Sequence, residues 1–127
     1  YFFIYISRII EIYRISPYGS TYFCYHRNME ITQAANAFKE LGHPTRLSIF
    51  TLLVKAGHDG LPVGRLQADL QVPNSTLSHH IAKLTSVGLV KQEREGRVLN
   101  CIAQYPHLNA LIDFLQDECC ATVLQRS

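Results

Sequence analysis

Ile31, Ala34, Ala35, Phe38 and Leu41 recur at helical spacing and Gly42 stops the run, which predicts a first amphipathic helix. Pro44 sits where a new helix would begin, and Leu47, Phe50, Leu53 and Val54 predict a second helix ending near Gly57. A short loop over residues 58–62 leads to Val63, Leu66 and Leu70, a third and brief helix. Gln71-Val72-Pro73 reads as a turn. Asn74 or Ser75 then caps a fourth helix, with Leu77, Ile81 and Leu84 as its buried stripe and Gly88 at its end. Residues 89–94 and 97–103 alternate well enough for two strands, and Glu95-Gly96 between them signals a tight hairpin. After Pro106, Leu108, Leu111, Ile112, Leu115 and Cys119 line one side of a last helix.

The expected fold is mainly α with a small β-hairpin. A short helix, a three-residue turn and a capped helix make a helix-turn-helix, and the hairpin that follows is placed to act as a wing. An ordinary small α+β domain can show the same order, so the decision falls to the chemistry of the fourth helix. Opposite its apolar stripe lie Ser75, His79, Ala82 and Ser86, flanked by Thr76, Ser78 and Lys83. Small side chains let a helix sit deep in a major groove, and hydroxyls and imidazoles hydrogen-bond base edges and phosphates. A merely solvated face would carry more Glu and Lys. The candidate DNA contacts are Asn74, Ser75, Thr76, Ser78, His79 and Lys83 from the helix, with Lys91, Arg94 and Arg97 from the hairpin as a phosphate clamp diluted by Glu93 and Glu95. His80 lies nearer the buried side, where a core histidine and a DNA contact are both open readings.

Composition narrows the class. A chain of 127 residues, 47% hydrophobic and 17% charged, is long enough for one core and too apolar for disorder. The apolar run over residues 1–6 is far below the roughly 18 residues of a membrane helix, and no signal-peptide pattern follows, so no membrane partner is expected. Cysteines at 24, 101, 119 and 120 do not resemble a secreted disulfide framework, and a reducing cytoplasm is the expected home.

Residues 1–28 differ from the rest. They hold six of the seven tyrosines and three arginines against one glutamate, whereas residues 29–127 carry nine basic and nine acidic side chains. Residues with codons beginning in two A/T bases (Phe, Tyr, Met, Ile, Asn, Lys) fill 16 of the first 28 positions but only 18 of the remaining 99. The expectation is a non-native or disordered N-terminal extension, with the native protein starting at Met29. A genuine aromatic extension turning at Pro17-Tyr18-Gly19-Ser20 is the other reading. Residues 29–127 are expected to form the DNA-binding and dimerisation domain.

Leu41-Gly42-His43-Pro44-Thr45-Arg46-Leu47, the run Ser75-Thr76-Leu77-Ser78-His79-His80-Ile81-Ala82-Lys83-Leu84, then Gly88-Leu89-Val90 and Arg94-Glu95-Gly96-Arg97 resemble the ArsR/SmtB family of bacterial metalloregulators across roughly residues 30–120. The resemblance implies a winged-helix homodimer, joined through its first and last helices, that represses an operon until an inducer releases it from operator DNA.

Two departures bear on the inducer. Where arsenic-responsive members carry Cys-Val-Cys at the third helix, this chain has Leu61-Pro62-Val63-Gly64-Arg65. The Asp/His set of the zinc sensors is also missing, since the last helix offers Asp113 and Asp117 but no suitably spaced histidines. What remains is Cys119-Cys120, similar to a subgroup that senses arsenite at a vicinal pair, though without the third cysteine usual a few residues later. As(III) or Sb(III) is the expected inducer, with no cofactor needed for DNA binding. Cys101 is either a third ligand or a core residue between Leu99 and Ala103. Other soft metals and redox sensing are alternatives for the same thiols. An enzyme is not expected: Ser78 and His79 point about 100° apart on a helix, and no orienting acid, glycine-rich phosphate loop or HExxH helix accompanies them.

Overall fold

The computed structural model describes residues 29–116. Its elements are α1 (Ile31–Leu41), α2 (Pro44–Ala56), a 3₁₀ turn (Gly57–Asp59), β1 (Leu61–Pro62), α3 (Val63–Leu70), α4 (Asn74–Ser86), β2 (Val90–Glu95), β3 (Val98–Ala103) and α5 (Tyr105–Gln116). The expectations for residues 1–28, and for Cys119 and Cys120, lie outside the described residues. No helix among the described residues is long and apolar enough to cross a membrane.

The mainly helical winged fold is the expected one, with a correction to its sheet. The sheet has three strands in the order β1-β3-β2, not two. β1 runs antiparallel to β3, with Leu61 opposite Cys101 and Pro62 opposite Asn100. Gly60 makes this approach possible: it holds φ +69°, and a Cβ there would lie 2.3 Å from the Cys101 carbonyl oxygen. Pro62 has no N–H to give, and an outer strand is where that is tolerated.

The hairpin register runs from Val90 opposite Ala103 to Glu95 opposite Val98. The two-residue turn is therefore Gly96-Arg97, one position later than the sequence suggests. Gly96 at φ 62° followed by a residue without positive φ matches a type II′ turn, whose twist suits the flanking strands.

Ile49, Leu53, Leu66, Leu77, Ile81, Leu84, Leu89, Cys101 and Leu111 are fully buried. In α2 this corrects the expected face: Leu47 is half exposed and Ile49 takes the core position. The helix is apolar almost all round, at Leu47, Ile49, Phe50, Leu52, Leu53 and Val54, so periodicity cannot choose its inner face. In α1 it is the small Ala34 and Ala37 that are buried, while Ile31 is exposed.

Polar ties fix the corners. Arg46 reaches from α2 to Glu40 at 3.2 Å, both side chains mostly buried, and its Nε also donates to the Glu40 carbonyl. The Gln104 N–H donates to the Leu89 carbonyl at 2.8 Å, setting the start of α5 beside the start of the hairpin. Truncating one buried leucine in such a core costs about 2–5 kcal/mol, a large share of the roughly 5–15 kcal/mol that holds a domain folded. The stripe Leu77, Ile81 and Leu84 is thus enough to hold α4 firmly against the core.

Candidate nucleic-acid interface

α3 stops at Gln71, which adopts the left-handed conformation (φ 52°, ψ 38°) and donates its N–H to the Gln67 carbonyl. Val72 and Pro73 complete the turn. Pro73, extended at φ −55° and ψ 144°, takes the cap position of α4, and Asn74 is the first helical residue. This corrects the expected cap: no side chain closes the N-terminus of α4. Its first-turn residues, Asn74, Ser75 and Thr76, are exposed beside it.

Leu77, His80, Ile81 and Leu84 face inward. Ser78, His79, Ala82 and Lys83 face outward with the first turn. The helix contains no carboxylate along its whole length. Its hydroxyls divide by position. Thr85 donates to the Ile81 carbonyl at 2.9 Å and Ser86 to that of Lys83 at 2.7 Å, so these two are spent on the helix itself. Ser75, Thr76 and Ser78 enter no side-chain hydrogen bond among the described residues. The available hydrogen-bonding groups therefore sit on the N-terminal half of α4, the half that meets base edges when such a helix enters a major groove. Ser86, placed on this face by periodicity, is exposed there, but its hydroxyl proton is already donated to the Lys83 carbonyl.

The wing separates its cations. Side chains alternate across a strand, so Lys91, Glu93 and Glu95 share one face with Ile102, Asn100 and Val98, while Gln92 and Arg94 share the other with Cys101 and Leu99. Lys91 is ion-paired with Glu93. Arg97 sits in the turn. Lys91, Arg94 and Arg97 do not form one patch, and the two arginines near the tip are the candidate phosphate contacts.

His80 is the one buried polar side chain of the described core, 8% exposed. Its ring packs on that of His43, with centroids 4.7 Å apart, and His79 lies 6.1 Å away on the outer side. Burial first, then His43, Arg46 and His79, lower the His80 pKa from its ordinary value. Of the two roles its spacing allows, core histidine or DNA contact, His80 takes the buried one.

Cys101 is fully buried, with Gln92 Nε2 donating to its Sγ at 3.8 Å. Burial pushes its thiol up, against the thiolate a metal needs. No group of three or more His, Cys, Asp or Glu side chains fit to hold a metal occurs among the described residues. The segment 61–65 forms β1 and the first turn of α3. One contact had no sequence signal: His107 lies over Gly88, where a Cβ would be 3.0 Å from the imidazole. The start of α5 thereby rests on the joint between α4 and the wing.

A helix-turn-helix on a helical core, followed by a hairpin, with an acid-free polar face on its second helix, defines a winged helix-turn-helix DNA-binding domain. A helix-turn-helix domain family matches residues 41–93. The chain is 41% identical over 64 residues to the uncharacterized HTH-type transcriptional regulator MJ1325 of Methanocaldococcus jannaschii, covering 50% of this chain and 70% of that one. It is 30% identical over 87 residues to the transcriptional repressor PagR of Bacillus anthracis, covering 68% and 85%. Its fold is similar to that of an ArsR-like transcriptional regulator from Rhodococcus sp. RHA1, with a TM-score of 0.61, 25% identity and coverage of 76% and 93%. The chain belongs to the helix-turn-helix transcriptional regulators, with a fold similar to that of ArsR-like members.

Proposed function

We propose that this regulator is a repressor that binds a pseudo-palindromic operator as a homodimer and leaves it when a trivalent arsenical or antimonial binds at Cys119 and Cys120. The observation that carries the DNA-reading part is the N-terminal half of α4, which offers Ser75, Thr76, Ser78 and His79 without a competing carboxylate. Repression follows the function of the relative from Bacillus anthracis. Dimerisation is supported by apolar surface: Ile31 (69% exposed) and Phe38 (36%) on α1, Ile112 (44%) and Leu115 (67%) on α5.

The inducer reading rests on sequence position. In the sequence, Cys119 falls at the helical spacing set by Leu108, Leu111, Ile112 and Leu115. Neighbouring residues on a regular helix diverge by about 100°, so one small ion held by both sulfurs demands a departure from regular helix. That departure alters how two subunits pack and how far apart their α4 helices sit. By linkage the ion weakens DNA binding and DNA weakens ion binding by the same factor, typically about 1–3 kcal/mol. Asp117 and Glu118 oppose thiolate formation, so the ion itself drives deprotonation. The third ligand is water or a small thiol, because Cys101 would have to leave the core.

Titration of the operator complex with arsenite tests this. Wild type and Cys101→Ser are expected to release DNA, and Cys119→Ser/Cys120→Ser to stay bound. Normal release by the double variant places the sensor elsewhere, and release by peroxide without a response to arsenite replaces the metal reading with a redox one.

A further inference from the structure

α4 is seated on the rest of the fold by a histidine that its outer face does not use. His80 stacks on His43 at 4.7 Å with the rings tilted by 39°. His43 is the N-cap of α2, and its Nδ1 accepts from the Thr45 N–H at 3.2 Å. A protonated imidazole has two N–H groups and no acceptor, so this cap exists only while His43 is neutral. His80 Nδ1 is buried with no hydrogen-bond partner.

The surroundings disfavour a proton. α2 and its cap contribute His43 and Arg46, and α4 itself contributes His79. α1 contributes Glu40, whose carboxylate is already held by Arg46. β2, also packed on α4, brings the buried Val90, with Lys91 and Glu93 paired to each other. A proton arriving at the stack meets cations and a carboxylate already committed.

We propose that His80 is a positioning residue for the recognition helix, and that operator binding requires the His43–His80 stack to be uncharged. Protonating His43 removes the α2 cap. Protonating His80 places a charge in a corner without a counter-ion. Either change shifts α4 relative to α2, while the stripe Leu77, Ile81 and Leu84 keeps the helix docked. The inference rests on the DNA-reading proposal and predicts an unusual sign. Acidification ordinarily strengthens binding to a polyanion, because the protein gains positive charge toward the phosphates. Here affinity falls.

The test is operator affinity by fluorescence anisotropy from about pH 8 to about pH 5.5 at fixed ionic strength. Wild type, His43→Asn (which keeps an acceptor for Thr45), His80→Leu and His79→Gln are compared. Wild-type affinity is expected to fall steadily as the pH drops through the lower part of this range. His43→Asn and His80→Leu flatten the fall, and His79→Gln retains it. Amide NMR without DNA is expected to show α4 resonances moving over the same pH range in wild type but not in His43→Asn, which carries the test if His80→Leu does not fold. A flat or rising wild-type affinity on acidification, or a slope unchanged in His43→Asn, overturns the proposal. Absence of sequence-selective binding at about pH 8 overturns the DNA-reading proposal beneath it.

Discussion

The hydroxyl of Tyr105 donates to the backbone carbonyl of Val54 at 2.8 Å, joining positions 51 apart in the chain. Val54 lies in the last turn of α2, where helix carbonyls have no partner of their own, and the ring of His58 leans on Tyr105 at 4.9 Å. The start of α5 is pinned to the end of α2 without passing through the wing. Tyr105→Phe removes the donor and leaves the carbonyl short of a partner. A loss of about 1–2 kcal/mol is expected, read as a lower urea midpoint at unchanged slope, and an unmoved midpoint contradicts this role.

Base reading and phosphate holding separate by element. Ser78→Ala and His79→Ala are expected to relax sequence preference by about 1–3 kcal/mol at the affected base pair. Arg94→Ala and Arg97→Ala are expected to weaken specific and random DNA alike and to reduce the salt slope by about one. Lys91→Ala is expected to do less, since Lys91 is already paired with Glu93. Anisotropy on both DNAs across a salt series checks all five, and equal losses on the two DNAs for the helix variants count against the assignment.

Two backbone positions set the helix-turn-helix and sheet geometry with opposite signs. Gln71 pays for a left-handed conformation that glycine adopts freely, so Gln71→Gly is expected to be neutral or stabilising by up to about 1 kcal/mol. Gly60→Ala must combine positive φ with the Cys101 carbonyl in its path, and a loss of more than about 2 kcal/mol is expected. Denaturant unfolding of the two variants measures both, and a harmless Gly60→Ala would argue against the β1–β3 contact.

The helices were legible because their apolar residues repeat every three or four positions and end at Gly42, Gly57 and Gly88. β1 was not, because two residues including a proline carry no alternation, and its pairing is set by Gly60 meeting the edge of β3. The inner face of α2 was hidden by apolar residues on all sides. The reading face of α4 was visible as small and polar, yet periodicity could not show that Ser86 spends its hydroxyl on the Lys83 carbonyl. The period of two does contain the split between Lys91 and Arg94, which sit an odd number of positions apart on β2.

The apolar residues on α1 and α5 predict a monomer when charged. Leu115→Glu, or Ile31→Glu, is expected to abolish the dimer at micromolar concentration by sedimentation velocity while leaving helix content intact. Operator affinity is expected to drop by more than about a hundredfold, the scale of losing one of two linked sites. A variant that stays dimeric moves the interface elsewhere.

Stability is expected to peak between two titrations. The His80 pKa is lowered by folding, so below the ordinary histidine value of about 6.5 the unfolded chain binds the proton first and stability falls with falling pH. The Cys101 pKa is raised, so above the ordinary thiol range, about 8.5–9, the unfolded chain releases its proton first and stability falls with rising pH. Urea midpoints from acid to alkaline pH measure both limbs, and Cys101→Ala should remove the alkaline one.

The most direct test of the account is selection of preferred sites from random DNA duplexes by wild type and by a Ser78→Ala/His79→Ala variant. Wild type is expected to enrich a pseudo-palindrome whose half-sites lie about one helical turn apart, and the variant to enrich a degenerate form of it. Enrichment of no sequence by wild type, or of the same sharp sequence by both proteins, would contradict the claim that the N-terminal half of α4 reads DNA.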